Sequence, residues 1–185
     1  TRFGPWHSIL AGDGSEGSRC LVARNPVPIT TGSLDILRGS SGGGTGVSTP
    51  GTMTDQQARD ALRAGGVEIH NWSATQTLAN TQIDTIRQAI EIKRACNCRV
   101  LVTATTGGTH STSGIHNHAA GYKIDLEDTP DLNRFLESRL RQDVPRGSDS
   151  RYKDSCGNEY VYENRGQSGS HWDITVNRGV CALGS

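Results

Sequence analysis

The sequence predicts an α+β domain, three helices packed on a small antiparallel sheet, preceded by an extended N-terminal arm. Three observations lead there. Apolar residues recur at three- and four-residue spacing in three separate stretches. Short β-branched and aromatic runs alternate with polar residues between and after them. Residues 1–53 show neither period and are dominated by Gly, Ser, Thr and Pro.

The arm comes first. Cys20-Leu21-Val22-Ala23 and Ile36-Leu37 are short pieces suited to edge strands, and 40–46 reads as a flexible Gly/Ser linker. Phe3, Trp6, Ile9 and Leu10 give its tip more apolar mass than a solvated tail requires. An extended arm of this kind can grip a neighbouring copy by strand addition, so self-association is a partner to expect.

The domain proper is assigned to residues 54–185. Thr54 followed by Gln57 fits a capping box, Ala58, Ala61 and Leu62 form one helical face, and Gly65-Gly66 ends it. Val67-Glu68-Ile69 reads as a short strand, and Trp72 and Leu78 as core. A second helix runs from about 81 to 95 on Ile83, Ile86, Ala89 and Ile90. Arg99–Thr103 is a β-branched central strand, and Tyr122–Leu126 alternates as another. Thr129-Pro130-Asp131 opens a third helix with Pro at its first position and Leu132, Phe135, Leu136 and Leu140 as its stripe. Residues 155–158 form a hairpin turn, and 159–163 and 171–176 alternate like paired strands.

Composition narrows the function. Lys plus Arg and Asp plus Glu both count 19, which removes any electrostatic argument for nucleic acid or an anionic membrane. No apolar run approaches the ~20 residues that span a bilayer. The five cysteines predict an oxidising compartment, with two disulfides and one odd thiol. Cys156 with Cys181 is the first expected pair, because both flank the strand at His171. Cys20 with Cys96 or Cys98 is the second, pinning the arm, since Cys96-Asn97-Cys98 is tight for a pair within itself. A chain opening on Thr1 fits a processed, exported form, secreted or at a bacterial cell surface.

The chemistry centres on His118-Ala-Ala-Gly-Tyr-Lys-Ile-Asp125 and on His171 downstream. His118 on a loop, a bend at Gly121 and Asp125 in the following strand place an imidazole beside a carboxylate. With His171 they suffice for a tetrahedral metal with one open position. On spacing alone, the plainer reading is a turn feeding an ordinary strand. His110 and His116, on the same loop, read as partners that hold a ligating imidazole rather than as ligands.

His118-x-x-Gly121-x-Lys123-x-Asp125, with His171-Trp172-Asp173 after it, resembles the zinc D-Ala-D-Ala peptidase family. That family includes D-alanyl-D-alanine carboxypeptidases, L-Ala-D-Glu endopeptidases and the Hedgehog signalling domain. The resemblance runs from about 54 to 176. It implies the Hedgehog/DD-peptidase-like fold, zinc as cofactor, His118, Asp125 and His171 as its ligands, and peptidoglycan stem peptides as substrate. It also implies an acidic general base three positions before the last histidine. Ser168 stands there instead, and losing a general base costs ~10²–10⁴ in rate. Glu163 on the preceding strand is the substitute base, and Asp173 a supporting carboxylate. The family's arginine upstream of the first ligand has no counterpart in 102–109. Three functions are therefore expected in order: a secreted zinc metallopeptidase, a catalytically silent relative serving as a self-assembling subunit of an extracellular filament or surface layer, and a wall-binding module.

Overall fold

The computed structural model describes residues 51–71, 77–108 and 113–184. The arm with Phe3, Trp6 and Cys20, and the positions of Trp72 and His110, lie outside the described residues.

Three helices form where the caps place them. Helix α1, Asp55–Ala64, starts at a complete capping box: Thr54 Oγ1 accepts from the Gln57 amide, and Gln57 Oε1 accepts from the Thr54 amide at 3.0 Å. Helix α2, Ile83–Cys96, ends at Asn97, whose left-handed φ of 47° stops the ladder. Helix α3, Pro130–Arg139, has Pro at its start, and the Thr129 hydroxyl accepts from the Leu132 amide. All three bury an apolar stripe: Ala58 and Leu62, Ile86 and Ile92, Leu132 and Leu136.

The strands are β1 Glu68–Ile69, β2 Leu101–Ala104, β3 Lys123–Glu127, β4 Arg141–Gln142, β5 Ser150–Lys153, β6 Glu159–Glu163 and β7 His171–Thr175. They form one sheet in the order β1-β2-β3-β7-β6-β5-β4. The β1–β2 pair is parallel and the rest antiparallel, so the sheet is mixed and larger than the small antiparallel one expected. The strands β4 and β5 escape a sequence reading because they are polar and largely solvated, with Tyr152 alone fully buried. β2 lies one place from the edge, not at the centre; the central strand is β7.

Alternation divides the sheet chemically. Ile124, Leu126, Tyr160, Tyr162, Trp172 and Ile174 share one face and a single core with the helices. Trp172 is fully buried, stacks on Tyr162 at 4.7 Å, and donates its Nε1–H to Asn133 of α3. A buried side chain of this size contributes about 3 kcal/mol or more. The opposite face carries Lys123, Asp125, Glu163, His171 and Asp173.

Cys156 and Cys181 are bonded, as expected, which ties the β5–β6 turn to the C-terminal segment. The second bridge corrects the sequence reading: Cys96 bonds Cys98. The left-handed Asn97 turns the chain back on itself and brings the two Cα atoms to 5.1 Å, within bonding range. By count Cys20 is then the odd thiol. No described helix is long and apolar enough to cross a membrane.

Candidate metal centre

The register of three strands builds the floor. Asp125 pairs with Asp173, and Asp173 with Val161; one step along, Glu163 pairs with His171. Side chains of directly paired residues share a face, so Asp125, Asp173, His171 and Glu163 cluster on the polar side of the sheet. His171 lies on the central strand, where neither side is free to move.

A loop lowers His118 onto this floor. The chain reverses at Gly121, whose φ is +78°, and a Cβ there would stand 2.2 Å from the Asn80 carbonyl oxygen. Only glycine fits that approach. The Gly121 carbonyl accepts from the Thr85 hydroxyl and the Gln82 amide, which locks the loop to α2. His118 ends up buried, its Nε2 3.3 Å from Asp125 Oδ1. His171 Nε2 approaches the other oxygen, Asp125 Oδ2, at 3.8 Å.

Both imidazoles are oriented from behind. His118 Nδ1 lies 2.7 Å from the Thr105 carbonyl, and His171 Nδ1 lies 2.8 Å from the Gly169 carbonyl. A carbonyl can only accept, so each Nδ1 carries a proton and leaves its Nε2 facing Asp125. The partner expected of His116 is thus the Thr105 carbonyl. His116 itself packs edge-on against Tyr122 and meets the Asn177 amide.

The carboxylates differ in their surroundings. Asp125 Oδ1 is buried and accepts no hydrogen bond. Asp173 Oδ2 is held by the Lys123 ammonium at 2.5 Å, with Arg146 at 3.7 Å. Burial opposes ionisation of Asp173, but Lys123 outweighs it and holds the carboxyl below its ordinary range. Glu163 is an ion-pair partner of Arg146 and places Oε2 3.4 Å from His171 Nε2. Burial and the adjacent Asp173 carboxylate push Glu163 above the usual carboxylate range, against the pull of Arg146 and His171. Burial lowers His118, but Asp125 and Asp173 more than offset it, so its pKa lies above the usual histidine value.

The donors of His118, Asp125 and Asp173 lie within 4.8 Å of one another, a group able to hold a metal ion. His171 approaches this group from the side through Asp125 Oδ2. Ser168 is exposed in the turn between β6 and β7. The residues that a sequence reading misses are Lys123 as a charge partner, Arg146 and the Thr105 carbonyl. Lys123 is visible in the motif, whereas Arg146 comes from the β4–β5 connection with no local signal. A second cluster, Asp154 with Cys156 and Cys181, is occupied by its own disulfide, and Asp154 accepts from the turn amides of 156–158.

No known protein family, no curated protein and no solved structure matches the chain.

Proposed function

We propose that His118, Asp125 and His171 bind a zinc ion and that the domain is an exported hydrolase of peptidoglycan stem peptides. The observation that carries this is the convergence of two Nε2 atoms, both fixed by Nδ1–carbonyl contacts, on one buried carboxylate. Two ligand atoms each ~2.0–2.1 Å from a tetrahedral zinc stand about 3.3 Å apart. His118 Nε2 and Asp125 Oδ1 have that separation, and Asp125 Oδ1 lacks any other partner. A zinc ion there would acidify a bound water and polarise the scissile carbonyl. Glu163 is the proton acceptor beside it, its carboxyl raised above the usual carboxylate range by burial and by Asp173. Arg146, whose guanidinium pairs with Glu163, would have to exchange that partner for a stem-peptide carboxylate to stand in for the arginine that 102–108 lacks. Two disulfides suit an extracellular setting.

A second reading, a silent relative used as an assembly subunit, is favoured by the solvent-exposed Ser168 and by Arg146 binding Glu163. The deciding experiment is zinc stoichiometry with a peptidoglycan-cleavage assay. One zinc per chain is expected, with cleavage abolished by chelator and by His171→Ala. Zinc-loaded protein that cuts nothing overturns the hydrolase and leaves the subunit, which concentration-dependent sedimentation then tests.

A further inference from the structure

We infer that Lys123 is a positioning residue that holds Asp173 out of the metal's coordination sphere and so keeps the fourth position open. The inference rests on the metal site proposed above.

Asp173 is a spare donor in the site. It faces Asp125 directly across the β3–β7 ladder, and its donors lie within 4.8 Å of those of His118 and Asp125. A carboxylate that close to two of the three proposed ligands could join them as a fourth and close the shell. Shells closed by protein ligands are structural, and those with an open position are catalytic. Something must therefore restrain Asp173, and the structure shows what does.

Lys123 sits two residues before Asp125 on the same face of β3, diagonal to Asp173. Its ammonium reaches Asp173 Oδ2 at 2.5 Å, with the lysine side chain 15% exposed and the aspartate 7%. Arg146 adds a second, more distant cation at 3.7 Å. The other oxygen, Oδ1, is buried with no hydrogen-bond partner among the described residues, so the cations at Oδ2 are what restrain this carboxylate. A buried ammonium so close also cancels much of the attraction that a dication would exert on Asp173. A small residue at 123 would leave that attraction unopposed.

The test compares wild type, Lys123→Met, Asp173→Asn and the double variant. It reads zinc affinity by chelator competition and the visible spectrum of the cobalt(II)-loaded protein. Lys123→Met, which removes a cation beside the metal and frees a carboxylate, is expected to bind zinc roughly tenfold or more tighter. Its cobalt spectrum should stop responding to added azide, because Asp173 has closed the shell. The double variant should return to wild-type affinity and azide response. Asp173→Asn, which leaves the Lys123 ammonium unpaired beside the site, should bind zinc no more tightly than wild type. A loss of affinity in the double variant, where neither charge remains, makes Asp173 a ligand and overturns the inference, even if Lys123→Met alone does not fold. An unchanged affinity and azide response in folded Lys123→Met overturns it too. Wild type that binds neither metal removes the metal site itself, and the inference falls with it.

Discussion

Glu163 Oε2 lies 3.4 Å from His171 Nε2, and the two residues are direct partners in the β6–β7 ladder. A carboxylate in that place reaches the site from the sheet floor rather than from the turn that holds Ser168. Glu163→Gln keeps the shape and removes the proposed proton acceptor. Hydrolysis is expected to fall ~10²–10⁴-fold with zinc content unchanged. Ser168→Glu, exposed in the turn, should restore little of it. Equal loss of zinc and rate in Glu163→Gln would make Glu163 a ligand instead of a base.

Gly121 is the hinge on which His118 depends. Gly121→Ala meets the Asn80 carbonyl at 2.2 Å and a φ of +78°, so it should destabilise the domain by roughly 3 kcal/mol and weaken metal binding. Gly166→Ala is the control. Its φ is +74° but its added Cβ would meet nothing, so only the backbone term remains, about 1–2 kcal/mol. Urea denaturation of the two variants should separate them; equal losses would mean that the loop tolerates the clash.

The two disulfides close loops of very different size. Cys156–Cys181 spans a sequence separation of 25, and Cys96–Cys98 one of 2. The chain-entropy account assigns about 3.5 kcal/mol to the first and about 1–2 kcal/mol to the second. The first also anchors the segment in which the Cys181 amide and carbonyl are held by Gln88. Double Cys→Ser variants compared by chemical denaturation should therefore rank in that order, and the reverse order would contradict it.

Acid should loosen the element that carries Arg146. The Lys153 ammonium beside Asp143, helped by the Val144 amide and by Arg151, holds the Asp143 carboxyl down at about 2. An unfolded aspartate titrates near ~3.9. The folded value is the lower one, so this pair's contribution is complete above about pH 4 and is lost as the pH falls toward 2. A carbon-detected NMR titration should find the Asp143 midpoint near the lower value. Asp143→Asn should flatten the stability profile across that window; an unaltered profile would assign the acid sensitivity to other groups.

Much of the scaffold is legible in the chain because the signals are local. Thr54 with Gln57, Thr129 before Pro130, and the alternation in 159–163 and 171–175 specify helix starts and strand faces within a few residues. The His118–Gly121–Asp125 spacing is equally local, and a left-handed glycine does deliver the imidazole to the carboxylate. The Cys96–Cys98 bridge escapes the sequence because its geometry depends on one left-handed residue, Asn97, which residue types alone do not reveal.

The sequence by itself determined which residues could meet a metal, and which face of each strand they would occupy, because side-chain direction follows from a period of two. Only the tertiary structure decided how those faces register. It set Glu163 beside His171, Asp173 opposite Asp125 with Lys123 against it, and Arg146 over both carboxylates. Strand pairing joins residues far apart in the chain, and a slip of one residue would have turned every one of these groups into the core.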